Sequence, residues 1–329
     1  MSKLVTIFGG SGFVGRYITR RMAKEGWRVR VAVRRPNEAL FVRPYGVVGQ
    51  VEPVFANVRD DDSVRAAIHG ADAVVNCVGL LTETGKNRFD AVQQEGAARI
   101  ARLSAAAGIT RFVHLSAIGA DPESASRYAV SKARGEEAVL AEMPTAVILR
   151  PSIVFGAEDE FFNRFAAMTR VSFMLPVVGG KTLFQPVYVD DVARAAVMAL
   201  LEPVKPGIYE LGGPDVESFR DLMQRMLRII RRRKLIVNVP WPAAMLMAGG
   251  FDLAQAVTLG LFHNSVLTRD QVRNLRHDNV VAPERMGFAD LGIEPVAMDP
   301  VLEDYLWPYR PGGQYSDIAE SAKYLRHQE

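Results

Sequence analysis

The chain has 329 residues, 49% of them hydrophobic and 23% charged, which is enough apolar content for a sizeable core and too much for a disordered chain. A net charge of +3 is too small to argue for nucleic acid, because positive charge marks such a partner only where it clusters. The single cysteine, Cys77, has no partner for a disulfide, and the first apolar run starts at Leu4 with no signal or transit segment before it, so a reducing compartment is expected.

In chain order, LVTIF (4–8) reads as a strand, FVGRYITRRMAKEG as a helix and RVRVAV (28–33) as a second strand. VEPVFA (51–56), the helical DSVRAAIHG, the strand AVVNCVG (73–79), the long helical FDAVQQEGAARIARLSAAAG and the strands RFVHLS (111–116) and TAVILRPS (145–152) follow. Strands alternating with helices predict an α/β domain with a doubly wound parallel sheet, over residues 1–155. Residues 156–310 read as a small C-terminal cap, with about 184–212 returning to the sheet, and 311–329 as a polar tail over the surface or a partner. Within the cap, SFRDLMQRMLRIIRRRK (218–234) predicts one helix: Ser218 caps it, Phe219, Leu222, Met223, Met226 and Ile230 form its apolar face, and its end is basic. VPWPAAMLMAGGFDLAQAVTLGLFHN (239–264) is interrupted by Pro242, Asp252 and Gln255 and is too short to cross a bilayer. It reads either as a pair of buried cap helices or, beside Arg231–Lys234, as a segment lying on an anionic membrane or a membrane-bound partner, with Trp241 at the interface. The five histidines and one cysteine show no metal-ligand spacing.

VTIFGGSGFVGRYI sets Gly9, Gly12 and Gly15, with Ser11, Phe13 and Val14 between them, directly between the first strand and first helix. Such glycines permit a tight turn, close approach of backbone to a pyrophosphate and close helix-to-strand packing, with phosphate at the helix N-terminus. After the second strand, an NAD-selective site offers Asp or Glu to the ribose, whereas this chain has Arg34 and Arg35. A guanidinium grips a 2′-phosphate with charge-assisted bonds, so NADPH is the expected cofactor.

The glycine loop, the strand–helix alternation and a Tyr128/Lys132 pair four residues apart make about the first 210 residues resemble the extended and atypical short-chain dehydrogenase/reductase superfamily, whose nucleotide domain is Rossmann-type. The resemblance implies roles for three further stretches. NVRD (57–60) is similar to the adenine-contacting segment, with Asn57 where Asp is common, Val58 against the base and Asp60 retained. NCVGL (76–80), with Cys77, Val78 and Gly79, resembles the loop that passes the cofactor riboses, and LRPSIVFG (149–156), with Pro151 and Ile153, the loop beside the nicotinamide. More narrowly, RPSIVFGAEDEFFNRFA (150–166) and FQPVYVDDVARAAVMAL (184–200) are similar to the NAD(P)H-binding accessory subunits of respiratory complex I. That narrower resemblance implies NADPH held without turnover and partner subunits near the quinone site, where the peripheral and membrane arms meet, with membrane contact through 231–264. It also implies a place on the cytoplasmic face of a bacterial inner membrane, or on the matrix side of a mitochondrial one.

In active members of the superfamily the Tyr is general acid or base, the Lys stabilises its phenolate and holds the nicotinamide ribose, and a Ser hydroxyl orients the substrate carbonyl. Tyr128 and Lys132 match and share one helix face. The hydroxyl does not match: Ala117 stands in its place, and Ser116, one residue early, is expected to face the other way. The pair therefore reads as vestigial, with no confident catalytic residue. Ser124 and Ser126 read as caps of the following helix and His114 as a packed core residue. The expected function is a non-catalytic NADPH-binding accessory subunit. The alternatives are a soluble NADPH-dependent reductase or epimerase acting on a sugar nucleotide or small carbonyl compound, and a redox sensor that binds NADPH and a regulatory protein.

Overall fold

The computed structural model describes residues 2–257 and 267–315. β1 (Leu4–Phe8) is buried along its whole length and feeds α1 (Phe13–Lys24), which returns to β2 (Arg28–Val33). β3 (Val51–Phe55), α2 (Asp61–Ile68), β4 (Ala73–Asn76), α3 (Glu95–Ala106), β5 (Arg111–Leu115), α4 (Arg127–Glu142) and β6 (Val147–Pro151) repeat the alternation. Then come β7 (Val154–Phe155), α5 (Phe162–Val171), β8 (Met174–Val178), β9 (Leu183–Phe184), β10 (Val187–Tyr188), α6 (Val189–Leu201) and β11 (Gly207–Leu211). The last elements are β12 (Glu217–Ser218), α7 (Phe219–Ile229), β13 (Leu235–Val239), α8 (Trp241–Val257), α9 (Arg269–Asn274) and α10 (Met298–Leu306).

Seven strands form one sheet in the order β11-β6-β5-β4-β1-β2-β3, every neighbouring pair parallel. This is the doubly wound α/β architecture that the alternation predicts. Strands buried on both faces need apolar residues at successive positions, and LVTIF and AVVN supply them. α1 and α6 cover one face through Ile18, Met22, Val192 and Ala196, and α2, α3 and α4 cover the other through Val64, Ile100, Ala101 and Val139. Each fully buried large side chain contributes about 1.5–3 kcal/mol, so the two layers outweigh any single polar contact in the domain. The chain reverses direction of winding between β1 and β4, which opens a crevice beyond the carboxyl ends of those strands.

A separate apolar core, with Phe155, Phe162, Phe184, Phe219, Leu222 and Leu302, organises the second half. α7 follows its sequence pattern: Ser218 Oγ accepts from the Asp221 amide at 3.2 Å, and Phe219, Leu222, Met223, Met226 and Ile230 are all buried. Its end does not. The helix stops at Ile229, Arg231 takes a left-handed φ of 52°, and the chain enters β13, which pairs in parallel with β8. The apolar face of α7 is complete at Ile230, whereas Leu235–Val239 is β-branched and finds a strand partner, so extending the helix would forfeit that ladder. Arg232 and Lys234 accordingly brace backbone, donating to Tyr309 O and Ser172 O at 2.7 Å each. In 239–264 the described part is one helix, not a buried pair: Ala244 and Ala248 are buried, but Leu246 and Met247 are exposed. Trp241 is partly buried against Ala244, Ala248 and Val272, with the Arg276 guanidinium 5.4 Å over its ring. Among the described residues no helix is long and apolar enough to cross a membrane. Residues 258–266 and most of the polar tail, 316–329, lie outside the described residues.

Candidate nucleotide site

At the crevice, Gly9 has φ +74° and its carbonyl accepts from the Gly12 amide at 2.9 Å, so the loop turns back against the start of α1. A Cβ on Gly15 would lie 2.3 Å from Gly9 O, a clash that only glycine avoids. The N-terminus of α1 at Gly12 has no side-chain cap, and its first turn holds no acidic residue. The positive end of the helix dipole is thus left for an external anion, and Ser11, Phe13 and Val14 line the same turn, partly buried. A closely approached, uncapped glycine turn of this kind fits a dinucleotide pyrophosphate.

The residues expected at the adenosine follow the carboxyl ends of β2 and β3. Arg34 reaches across to a hairpin after β4, donating from Nη1 to Asn87 Oδ1 at 2.9 Å, while Arg35 is exposed and pairs with Glu38 at 3.0 Å. Both arginines are exposed, but they part company in their partners: Arg34 is tied to the turn after β4 and Arg35 to its own neighbour Glu38. Asn57 Oδ1 accepts from the Arg59 amide at 3.2 Å, and Val58 packs against α3, where a Cβ on Gly96 would meet it at 3.0 Å. Asp60 caps α2, accepting from the Ser63 amide at 3.0 Å. Arg59 Nη1 donates to Lys86 O at 2.7 Å. Lys86 and Asn87, which Arg59 and Arg34 reach, carry no sequence signal, since they sit in a turn with no periodicity.

At the other end, the Cys77 amide donates to Phe8 O at 2.9 Å and the Val78 amide to Asn76 Oδ1 at 3.1 Å, which shapes the turn after β4. A Cβ on Gly79 would lie 3.4 Å from Lys132 Nζ, so this loop and the α4 lysine meet. Lys132 is buried, donates to Leu115 O at 3.2 Å, and its Nζ lies 6.0 Å from the Tyr128 ring centroid. Burial pushes its pKa down to about 8, with the neighbouring charge of Glu136 pulling it back. Burial pushes the Tyr128 phenol up to about 12. Near neutrality Tyr128 keeps its proton. Burial likewise pushes the Cys77 thiol up to about 12, so it keeps its proton near neutrality.

Ser116 donates its hydroxyl to Glu136, which is clamped by Arg150 at 2.6 Å, and Arg150 in turn reaches Glu210 at 3.3 Å. All three charged groups are almost wholly buried, so this is a structural ion cluster under α4. Ala117 follows with no polar side chain. Ser126 is the N-cap of α4, accepting from the Ala129 amide at 3.3 Å, and Ser124 Oγ accepts from the Ser126 amide at 3.1 Å. Ser126 alone is the cap, whereas Ser124, expected to share that role, holds the Ser126 amide one step before the helix. His114 is buried against Asn76, Nδ1 to Nδ2 3.1 Å, and burial lowers its pKa to about 3, so it is a neutral core group.

Two residues of the second half complete the walls, and neither carried a sequence signal. Asp270 accepts from Ser126 Oγ at 2.8 Å and from the amides of Arg127 at 2.8 Å and Tyr128 at 3.1 Å, a carboxylate seated on the N-terminus of α4. Asn279 Oδ1 accepts from Ser152 Oγ at 2.6 Å and the Ile153 amide at 3.1 Å, and its Nδ2 donates to Ile118 O at 3.4 Å. Pro151 O accepts from the Ile118 amide at 3.0 Å, so the loops after β5 and β6 are tied together and to Asn279.

Comparison with known proteins agrees with this geometry. The model of the NAD dependent epimerase/dehydratase family matches residues 5–212. The Arabidopsis thaliana protein named NADH dehydrogenase [ubiquinone] 1 alpha subcomplex subunit 9, mitochondrial, is 35% identical over 94% of this chain and 79% of its own length. A Caulobacter vibrioides protein named ceramide reductase is 31% identical over 78% of this chain and 79% of its own. Among solved structures, the Bordetella bronchiseptica enzyme WbmH in complex with NAD+ superposes with a TM-score of 0.68 at 18% identity, covering 95% of this chain and 100% of that one, a likeness of fold. By its glycine turn, its parallel sheet and this extended similarity, the chain belongs to the NAD dependent epimerase/dehydratase family, in the branch that includes the 1 alpha subcomplex subunit 9 proteins of NADH dehydrogenase.

Proposed function

We propose that the chain is a non-catalytic NADPH-binding accessory subunit of respiratory complex I. The observation that carries the non-catalytic reading is the Ser116 hydroxyl, which is spent on Glu136 while Ala117 has nothing to offer a carbonyl. Losing one preorganised donor costs ~10²–10³ in rate. Burial holds the Tyr128 phenol above its usual range, which makes it a weaker acid than a free phenol. The assembly reading rests on similarity over 94% of the chain to a plant subunit named for NADH dehydrogenase.

In this reading the glycine turn with Ser11, Phe13 and Val14 takes the pyrophosphate, and Asn57 and Val58 take the adenine. Arg34 takes the 2′-phosphate, with Arg35 in support. Cys77, Val78 and Gly79 pass the riboses. Tyr128 and Lys132 hold the nicotinamide ribose, with Pro151 and Ile153 beside the ring. NADPH would supply a hydride where a substrate were held; here the residues bind and orient it and offer that substrate no hydroxyl. The partners are complex I subunits near the quinone site, at the junction of the two arms. Exposed Leu246 and Met247 on α8 favour peripheral contact with the membrane through 231–264, on the cytoplasmic face of a bacterial inner membrane or the matrix side of a mitochondrial one.

Gentle solubilisation of respiratory membranes tests this: the chain is expected to emerge with complex I subunits, carrying NADPH that it does not consume when offered carbonyl compounds. A soluble NADPH-dependent reductase is the second reading, favoured by the similarity to the Caulobacter vibrioides protein named ceramide reductase. Turnover of bound NADPH at ordinary enzymatic speed would establish that reading and sink the first.

A further inference from the structure

Between Gly79 and α3 the chain leaves β4 and forms a small hairpin that nothing in the site described so far requires. Thr84 and Asn87 exchange both backbone hydrogen bonds, at 3.0 and 2.9 Å, with Gly85 at φ +56° and Lys86 at the tip. Its tip is tied to the adenosine side: Asn87 Oδ1 accepts from Arg34 at 2.9 Å and Lys86 O from Arg59 at 2.7 Å. Its base is tied to the nicotinamide side: Glu83 takes both guanidinium nitrogens of Arg127, at 2.7 and 3.2 Å, and accepts from the Phe89 amide at 2.9 Å. Phe89 then meets the Tyr128 ring edge-on at 5.9 Å.

The topology gives these ties their meaning. The hairpin springs from β4 but is anchored on the residues that follow β2 and β3, which lie on the far side of β1. To get there it must pass over the β1–β4 reversal, the crevice in which a dinucleotide lies in such sheets. Two side-chain anchors, one at each end of that crevice, hold it down, and neither belongs to the hydrophobic core. Both are partly exposed polar contacts, each worth little to folding but available to open and close without unfolding the domain.

We infer that the hairpin 81–89 is a retention strap for the nucleotide, with Glu83 and Asn87 as its positioning residues: bound NADPH leaves only when the Glu83–Arg127 or Asn87–Arg34 tie opens. The inference rests on the NADPH-binding reading above and adds a kinetic role to residues outside the cofactor contacts. It also couples the two ends of the site, because the arginine assigned to the 2′-phosphate is one of the anchors.

The test is the release rate of NADPH from the full-length protein, followed by loss of its fluorescence after mixing with excess NADP+. Glu83→Gln and Asn87→Ala are each expected to speed release about 3- to 10-fold, the effect of losing one partly exposed polar contact. The thermal midpoint of the nucleotide-free protein should stay unchanged, which a merely structural role would not allow. Release at the wild-type rate from both variants, with NADPH still bound at equilibrium, would overturn the strap while leaving the NADPH assignment intact. Faster release of NADH, in a protein that shows no preference for NADPH, would sustain the strap and remove the 2′-phosphate assignment. A wild-type chain that binds neither nucleotide would overturn both.

Discussion

Lys132 is an ammonium group held in the protein interior, where it donates to the Leu115 carbonyl, and that placement has a cost visible in its acidity. Burial lowers its pKa in the folded chain to about 8, against 10.5 for an ordinary lysine. Between those values the unfolded chain binds a proton that the folded chain does not, so wild-type stability falls as pH drops from about 10.5 to about 8 and then levels off. Lys132→Met lacks this linkage. The variant is expected to gain in thermal midpoint relative to wild type at pH 7, with the gain shrinking as pH rises towards 10, and to bind NADPH more weakly. Melting curves across that pH range check it; a pH-independent difference would mean that the lysine is charged when folded throughout. At Arg34 the expectation concerns selectivity. Arg34→Asp should weaken NADPH roughly 10- to 100-fold while leaving NADH nearly unaffected, the scale of a lost charge-assisted contact plus repulsion. Equal losses for both nucleotides, measured by titration, would refute the assignment. Both residues were legible in the sequence because each sits at a fixed offset from a recognisable element. Asn87, Asp270 and Asn279 were not, because a lone polar residue in a turn has no spacing to betray which distant amide it will meet.

Among elements, those of the first half could be read almost to the residue, since Leu4–Phe8 is buried throughout and almost wholly apolar, while Arg28–Val33 sets buried Val29 and Val31 between arginines at strand spacing. α4 is the exception in how it begins. Its N-terminal amides are satisfied by Ser126, as its sequence suggests, and also by Asp270, which arrives from more than a hundred residues away. Carboxylates at a helix N-terminus stabilise through both hydrogen bonds and the dipole. Asp270→Ala is therefore expected to cost about 1–2 kcal/mol, with Asp270→Asn recovering part of it because the amide oxygen still accepts. Urea unfolding of the three proteins measures this, and identical midpoints would show that water replaces the carboxylate without loss. The misread elements fail for the opposite reason. At the end of α7 the basic run Arg231–Lys234 is as good a helix terminus as a turn, and what decides between them is β8, a strand some sixty residues earlier that β13 joins.

For the molecule as a whole, the nucleotide domain and the second half have separate apolar cores, yet the crevice draws on both. Asn279 is where they meet: it ties Ser152 and Ile153, the loop assigned to the nicotinamide, to the loop at Ile118 and, through its own backbone, to β9 by accepting from Gln185 and donating to Leu183. A ligand that binds only the native state adds stability by mass action, about 2.7 kcal/mol at a hundredfold excess over Kd. That gain depends on walls already in place, because ordering a loose loop consumes part of the binding free energy. Asn279→Ala removes the side-chain ties and leaves Ser152 Oγ with two backbone partners, donating to the carbonyl of residue 279 at 2.8 Å and accepting from the Gln185 amide at 3.3 Å. The expected result is a modest loss in the thermal midpoint of the nucleotide-free protein and, separately, a smaller upward shift on adding saturating NADPH than wild type shows. If the variant loses stability but keeps the full NADPH-induced shift, the second half merely props the fold and the nicotinamide loop is set by the sheet alone.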